Sequence, residues 1–309
     1  MSTIIITHED FLHHDTGPGH PERPDRIRAV WMALEQEPFA ALPRREAPPA
    51  TPDQLKAVHL PAYVDMVLEA LDEGRAARLD PDTVLSPGSR GAVLRAAGAV
   101  CAGVDAVVAG EASTVFCAVR PCGHHAEQAR PMGFCVFNNV AVGMAHARNR
   151  HGIQRIACVD FDVHHGNGTQ AMFYDDGDAL FASTHQSPLY PGTGAESERG
   201  RYGTIINVPL APGSATDAFM AGVERRILPA LDAFKPELLF ISAGFDAHAD
   251  DPLAGLELEG EDFARVTRAL VDVARRHCGG RIVSVLEGGY DLAGLADGCM
   301  AHVRELMAA

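Results

Sequence analysis

Two carboxylates and an imidazole occupy alternate positions in the middle of the chain, within VDFDVHHGNG at 159–168. Asp160, Asp162 and His164 would project from one face if an extended strand continued through them. Aspartate oxygen and histidine nitrogen suit Zn²⁺, and Asp162 and His164 form a D-x-H pair, with Asp160 one step behind to orient it. The stretch therefore indicates a candidate zinc site. A buried strand that ends in a polar turn, with the histidines as caps, would show the same residues.

Three further apolar runs of strand length are followed by side chains that can bind a metal or move a proton: His124 and His125, Asp246, and Tyr290. The carboxyl ends of parallel strands meet at one edge of an open sheet, where ligands bind. Groups far apart in sequence can therefore share one crevice. The tandem histidines alone could still belong to a solvated loop, but independent turns would not be expected to carry such groups after each strand.

Three of these groups match the ligand count of a catalytic zinc. Asp162, His164 and Asp246 together supply nitrogen and oxygen donors and leave one coordination position open for water. A structural zinc site would instead be closed by four protein ligands. We therefore expect a metal that takes part in chemistry.

The remaining groups can move protons and stabilise negative charge. Two adjacent imidazoles, His124 and His125, can act as base and acid if their hydrogen-bond partners set their tautomers, and Asp160 and Asn167 are plausible partners. Tyr290, on a Gly-Gly turn that permits close backbone approach, could donate a hydrogen bond to a developing oxyanion. Together with the metal, these roles describe amide hydrolysis.

The elements that must position these groups alternate along the chain. Short apolar runs predict strands at 2–7, 114–119, 155–159, 180–184, 205–210, 237–242 and 281–286. Helical periodicity predicts helices at 55–59, 61–73, 91–109, 139–150, 215–234, 261–277 and 292–307. The segments 11–24, 80–89 and 185–200 read as loops, and Gly166-Asn167-Gly168 as a break after the central strand. The alternation predicts one α/β domain over 1–309, an open parallel sheet with helices on both faces.

Composition excludes some classes of partner. The formal charge is −15 and only two lysines occur, so phosphate neutralisation on nucleic acid is not expected. We find no signal-peptide pattern, expect no apolar run long enough to span a membrane, and predict a cytoplasmic protein. The seven cysteines resemble buried apolar residues in a reducing compartment. The oligomeric state does not follow from the sequence.

Six ordered motifs resemble the zinc-dependent histone deacetylase and acetylpolyamine amidohydrolase family. They are HPERPDR at 20–26, RPCGHHAEQARPMGFCVFNN at 120–139, VDFDVHHGNGTQ at 159–170, YPGTG at 190–194, GFDAHADDPL at 244–253 and LEGGYDL at 286–292. The resemblance covers most of the chain and implies an arginase-like parallel sheet flanked by helices.

By position, the resemblance implies Zn²⁺ on Asp162, His164 and Asp246. His125 would be the main general base and acid, and His124, held by Asp160, its electrostatic partner. Tyr290 would polarise the acyl carbonyl. The family also binds K⁺ near the zinc loop, which here implies a structural potassium held by these residues: Asp160, Asp162, His164, Ser183 and Thr184.

The resemblance also implies a narrow channel for the aliphatic stem of an acylated amine. Phe134 and Tyr190 would flank this channel, with Gly133 beside them. Leu253 stands where a polyamine-selective relative has a glutamate, and leucine cannot pair with a distal ammonium. This favours acyl-lysine over an acetylpolyamine as substrate. Asp82 could hold a substrate backbone or a cation at the rim, or it could simply cap its loop.

Two positions depart from the commoner family pattern, and two other functions remain alternatives. Asn167 stands where some members have aspartate, and Cys122 replaces the proline of R-P-P-G-H-H. A ureohydrolase on this fold would need further paired aspartates for a two-metal cluster, whereas only Asp246 follows Gly244-Phe245. A catalytically silent binding module would be expected to have lost some of the catalytic residues, and all are present.

Overall fold

The structure, a computed structural model, describes residues 2–309, which form one α/β domain. Its parallel strands are β1 (Thr3–Thr7), β2 (Arg44–Glu46), β5 (Thr114–Cys117), β6 (Ile156–Asp160), β7 (Ala179–Gln186), β8 (Ile205–Leu210), β9 (Leu238–Ala243) and β10 (Ile282–Leu286). A separate antiparallel pair consists of β3 (Ala77–Arg78) and β4 (Val84–Leu85). Within 2–309 the main sheet has eight strands in the order β2-β1-β5-β10-β9-β6-β7-β8. The predicted open parallel sheet is confirmed.

The helices follow the predicted alternation. They are α1 (Pro24–Leu34), α2 (Pro52–Lys56), α3 (Pro61–Asp72), α4 (Ser89–Val108), α5 (Asn139–His151), α6 (Asn167–Phe173), α7 (Thr216–Gly222), α8 (Leu228–Phe234), α9 (Gly260–His277) and α10 (Leu292–Met307). Short 3-10 turns cover Glu9–Leu12 and Phe39–Ala41. A π-helical turn, Val223–Ile227, joins α7 to α8, so the helix predicted at 215–234 is helical but not uniform.

Side chains alternate across the central strands, and this alternation separates the helices onto two faces. Val115 and Val283 pack on α4, each 3.2 Å from the place that a Cβ would take at Gly103. Ser284, the residue after Val283 in β10, faces the other side of the sheet, and its Oγ lies 2.8 Å from Nε2 of His302 in α10. The helix α5 packs against α4 on one face, and α1 and α9 pack against α10 on the other. The sheet is therefore covered on both faces.

One expectation about membranes needs correction. The helix α4 is long and apolar enough to span a bilayer by length and composition, although the sequence seemed to contain no such run. Its most apolar window is 72% buried inside the protein. Burial against the sheet and α5 accounts for the composition of this helix.

Five of the α-helices and strands described within residues 2–309 were not predicted: α1, β2, β3, β4 and α6. The edge strand β2 is exposed and polar, so it has no apolar signal, and it pairs through its backbone with β1. The pair β3 and β4 lies partly in the predicted loop 80–89. The helix α6 begins at Asn167, where Gly166-Asn167-Gly168 had predicted only a break. A Cβ at Gly168 would collide with the backbone of Ala126, so this glycine permits close packing rather than a turn.

Candidate active site

Four neighbouring strands of the sheet lead into the predicted site residues. In the order β5-β10-β9-β6 they precede His124 and His125, Tyr290, Asp246, and the Asp160–His164 segment. All four run parallel, so their carboxyl ends share one edge. The structure brings these residues together in one buried cluster.

The three predicted metal ligands converge at the centre of this edge. His164 Nδ1 lies 3.1 Å from Asp162 Oδ1 and 3.1 Å from Asp246 Oδ2. One donor atom from each residue lies within 4.8 Å of the others, and all three residues are buried. The arrangement offers two carboxylates and one imidazole to a single point.

The backbone conformation between Asp160 and His164 differs from the one expected. The strand β6 ends at Asp160 instead of continuing through His164. Carboxylates hold the bend that follows: Asp162 N donates to Asp160 Oδ1 at 3.1 Å, and Val163 N donates to Asp246 Oδ1 at 2.9 Å. The expectation of one continuous strand face was therefore wrong, because these hydrogen bonds replace the strand ladder.

The charges of the cluster are those of a cation site. Burial raises the pKa of Asp246 to about 7, and the nearby charge of Asp162 adds to the rise. Burial alone would lower the pKa of His164, but hydrogen bonds to the carboxylates of Asp162 and Asp246 raise it to about 10. Two buried carboxylates thus draw positive charge onto the imidazole between them, and a divalent cation would satisfy them better.

Glycines keep space around these carboxylates. A Cβ at Gly244 would collide with the carboxylate of Asp162, and a Cβ at Gly288 with that of Asp246. The backbone N–H of Gly288 also donates to Asp162 Oδ2 at 2.8 Å. The residues present therefore fit a metal of the Zn²⁺ class in donor type, burial and room.

The tandem histidines have different partners. His124 Nδ1 lies 2.9 Å from the carboxylate of Asp160, whereas His125 Nδ1 lies 2.8 Å from the amide oxygen of Asn167. The amide nitrogen of Asn167 donates to Glu127 Oε1 at 2.9 Å, which orients its oxygen towards His125. That oxygen only accepts, so the hydrogen of a neutral His125 sits on Nδ1 and Nε2 keeps a lone pair.

This difference pushes the two pKa values apart. Burial would lower the pKa of His124, but the charges of Asp160 and Asp162 hold it well above its usual value. Burial lowers the pKa of His125, and the charges of His124 and His164 lower it further. One imidazole is thus charged and its neighbour neutral at pH 7. Such a separation is typical of acid–base sites.

Tyr290 completes the cluster from the β10 side. Its backbone N–H donates to Asp251 Oδ2 at 2.7 Å, and the guanidinium of Arg26 lies 4.9 Å from its ring centroid. Burial raises the pKa of its phenol well above the usual value, so the hydroxyl keeps its proton and can donate. Tyr290 lines the same cavity as His125 and His164.

A cavity of about 280 Å³ leads to these groups. Its lining residues are Asp82, His125, Gly133, Phe134, His164, Leu189, Tyr190, Leu253 and Tyr290. The predicted channel residues therefore do surround one cavity. Its apolar walls and few polar groups are typical of a small-ligand pocket.

A strained turn places the aromatic wall of this cavity. Gly133 and Phe134 both have positive φ, 57° and 68°, which is unusual for a phenylalanine. A hydrogen bond stabilises this turn: Gly133 N donates to Asp82 Oδ1 at 3.0 Å. On the other side, Tyr190 stands perpendicular to the ring of His125, with 5.2 Å between centroids, and is 40% exposed. Asp82 thus lies at the cavity and also supports its wall.

The residues predicted to bind potassium lie beside the central loop. Ser183 pairs in register with Asp160 across β7 and β6, and its Oγ lies 2.9 Å from Nδ1 of His185. Thr184 Oγ1 is buried and has no hydrogen-bond partner among residues 2–309. These observations do not identify an ion, and potassium stays a prediction.

The buried charged residues that support the site from outside the catalytic cluster were not predicted. Glu22 accepts from Arg120 Nε at 2.7 Å and from Arg26 Nη1 at 3.3 Å, and all three residues are buried. Arg26 Nε in turn donates to Gly289 O at 2.6 Å, next to Tyr290. Burial would raise the pKa of Glu22, but the neighbouring charges and hydrogen bonds, those of Arg120 foremost, together outweigh burial and lower the pKa to about 2.

A second buried acid stabilises the loop that carries His124 and His125, called the histidine loop below. Glu287 Oε2 accepts from Gly123 N at 2.7 Å and from His124 N at 3.2 Å. The available signal was the position of these charges: Arg120 and Glu287 each directly follow an apolar strand run, where an unpaired charge would be costly.

Comparison with known proteins agrees with this geometry. The family described as Histone deacetylase domain matches residues 20–306. A histone deacetylase-like amidohydrolase from Pseudomonas aeruginosa is 42% identical over 93% of this chain and 77% of its own length. The human polyamine deacetylase HDAC10 is 36% identical over 99% of this chain and 48% of its own. The crystal structure of the HDA15 HD domain superimposes with a TM-score of 0.94 at 33% identity, covering 99% of this chain and 88% of that one.

The different partners of the two histidines lead to a first prediction. Asn167→Asp places a carboxylate on Nδ1 of His125, so the pKa of this imidazole should rise by about 1–3 units. Titration followed by the side-chain ¹⁵N shifts of His125, in metal-loaded protein, measures this directly. Gln170→Glu is the matched control, because Gln170 contacts His165 instead. An unchanged His125 titration in Asn167→Asp would show that this partner does not set its protonation.

Proposed function

Because the chain belongs to the histone deacetylase family, we propose that it is a zinc-dependent amidohydrolase that removes an acetyl or other short acyl group from the side chain of acylated lysine. One observation carries this proposal: three side chains that could hold a cation and the neutral, buried imidazole of His125 meet at one largely apolar cavity. The cavity suits a neutral acyl amide on a methylene stem.

Asp162, His164 and Asp246 would hold the zinc. The ion would supply Lewis-acid polarisation and a lowered pKa for a water molecule at the open position. The carboxylate pair and the imidazole provide the donor types, and Gly244 and Gly288 leave them room. The other parts of the reaction fall to residues of the chain.

His125 would act as general base and then as general acid. Its Nε2 takes a proton from the attacking water, and Asn167 stabilises the resulting imidazolium through Nδ1. His125 then delivers the proton to the departing amine nitrogen. His124, already charged beside Asp160, would stay protonated because its pKa is held well above the usual value, and it would act by its charge.

Tyr290 would stabilise the oxyanion. Its protonated phenol can donate to the carbonyl oxygen as negative charge builds up there. The backbone contact with Asp251 and the Arg26 guanidinium hold the residue in place before the substrate arrives. Such prior placement avoids reorganisation during the reaction.

The cavity walls support acyl-lysine over a polyamine. Phe134, Tyr190 and Leu253 offer no charge to a substrate stem, so an ammonium against these walls would lose its hydration without a partner there, and the carboxylate that lines the cavity, Asp82, lies at its rim. Asp82 would accept a hydrogen bond from the substrate backbone at the rim. The alternative substrate, an acetylated polyamine, has the support of the HDAC10 relative named above.

A structural potassium ion is part of the same proposal. It would bind beside the metal loop through Asp160, Asp162, His164, Ser183 and Thr184. The hydroxyl of buried Thr184, which has no hydrogen-bond partner within residues 2–309, supports a further ligand in this region. Potassium would stiffen the loop that carries two of the zinc ligands.

The second prediction tests reaction and substrate together. Purified protein should release acetate from acetyl-lysine peptides. This activity should be lost in the presence of a chelator and should be restored by Zn²⁺. Acetylspermidine should have a lower kcat/KM than the peptide, and Leu253→Glu should shift this ratio towards acetylspermidine because a carboxylate can pair with its ammonium. Leu253→Met is the neutral control.

Two outcomes would count against this proposal. Turnover that survives complete removal of metal would contradict zinc-dependent hydrolysis. A wild-type preference for acetylspermidine would instead favour the polyamine alternative and leave the reaction type unchanged.

The third prediction concerns the oxyanion. Tyr290→Phe removes one hydrogen bond but keeps the ring, so kcat should fall by about 10²–10³-fold, roughly 3–4 kcal/mol, with little change in KM. Steady-state kinetics with zinc content determined on the same samples gives the answer. Tyr202→Phe, at an exposed tyrosine, is the control. A Tyr290→Phe enzyme within a few-fold of wild type would make Tyr290 a packing residue.

A further inference from the structure

A second group of metal-binding side chains lies on the protein surface between α4 and α5. Nε2 of His146 and Nε2 of His151 lie 2.8 and 2.6 Å from the same oxygen of Asp105. Donor atoms from the three residues all lie within 4.8 Å of one another. Neither the sequence motifs nor the proposed reaction uses these residues.

This group is separate from the active site. The helix α5 begins at Asn139, whose side chain donates to Pro121 O beside the histidine loop at 3.0 Å. It ends at His151, twelve residues later, which corresponds to about 18 Å of helix. The two ends of α5 therefore serve different sites.

The pairing differs from an ordinary surface contact between histidine and carboxylate. His277 Nε2 also meets an aspartate, Asp232, at 2.8 Å, but the other side chain bound to that carboxylate is the guanidinium of Arg276. A guanidinium cannot ligate a metal, whereas a second imidazole can. Asp105 thus gathers two metal ligands where Asp232 gathers one.

The two contacts of Asp105 require a small adjustment to admit an ion. Zinc lies about 2.0–2.2 Å from nitrogen and oxygen ligands, so neighbouring donors in a tetrahedron are about 3.3 Å apart. The carboxylate of Asp105 must therefore withdraw by roughly half an ångström. Its side chain is 54% exposed, so solvent leaves room for this movement, whereas the side chains of His146 and His151 are 11% and 21% exposed.

We propose that Asp105, His146 and His151 form a second divalent-cation site, selective for zinc-like ions. Two imidazoles and one carboxylate suit Zn²⁺, Ni²⁺ or Cu²⁺, whereas Mg²⁺ and Ca²⁺ prefer oxygen ligands alone. Water completes the coordination at this open surface. The ion joins the end of α5 to α4 and stabilises this helix pair without taking part in the reaction.

One neighbour limits the affinity and provides a test. Gln54 Nε2 lies 3.4 Å from His146 Nδ1, a long contact that favours the imidazole proton on Nε2, the atom that must bind the metal. Its Oε1 is engaged with Thr51 N at 2.8 Å, so the amide is not free to turn over. Gln54→Glu keeps this cap and offers His146 Nδ1 an acceptor, which frees Nε2 for the ion.

The experiment counts zinc equivalents on the full chain by equilibrium dialysis at neutral pH, in excess Mg²⁺ and Ca²⁺. Wild type should bind one equivalent more than His151→Gln or His146→Gln, and His277→Gln should match wild type. Zinc should also raise the thermal midpoint of wild type more than that of His151→Gln. Gln54→Glu should bind the extra equivalent more tightly.

Equal stoichiometry in wild type and His151→Gln would overturn the proposal, as would loss of the extra zinc to excess Mg²⁺. The difference in stoichiometry does not depend on the catalytic metal or on turnover. If it persists in protein that fails to hydrolyse acyl-lysine, the proposed function falls and the surface site stands. Acyl-lysine turnover in His151→Gln should equal that of wild type, since this residue lies outside the catalytic cluster.

Discussion

Two carboxylates, Asp162 and Asp246, lie buried at neighbouring strand ends and are bridged by the imidazole of His164. Burying like charges is costly unless positive charge accompanies them, and this constraint governs the surrounding structure. It accounts for the raised pKa values of Asp246 and His164 and for the charged state of His124. It also explains the glycines at positions 244 and 288, where a Cβ would collide with the carboxylate of Asp162 or Asp246. A bound cation relieves the same constraint.

From this charge balance follows the asymmetry that makes the histidine pair useful. A charged His124 lowers the pKa of His125, and the neutral partner Asn167 adds no compensating charge. His125, the proposed general base, therefore remains unprotonated at neutral pH beside a positive charge. Two buried acids held by hydrogen bonds support the site: Glu287 accepts from the loop that carries the histidine pair, and Glu22 accepts from Arg26, which donates to Gly289 beside Tyr290. Removal of any one of these acids would leave a buried donor unpaired.

Much of this arrangement could be predicted from sequence because its signals are local. Apolar β-branched runs gave the strands, and the ionisable residues after each run lie at one sheet edge because the strands are parallel. The bend after Asp160 was not predictable, since it depends on a hydrogen bond from Val163 to Asp246, far along the chain. The edge strand β2 has no apolar pattern at all. Residues that meet only across packed helices, as Asp105 and His146 do, carry no spacing signal in the sequence.

The most direct test of the account is to locate zinc in crystals of the enzyme by anomalous scattering at the zinc absorption edge. The account predicts a strong peak within bonding distance of Asp162, His164 and Asp246, about 2.0–2.2 Å from each donor atom. Absence of a peak at these atoms, in protein that hydrolyses acyl-lysine, would contradict it. The buried carboxylates would then be balanced by protons alone, and the catalytic role of the strand-end cluster would have to be abandoned.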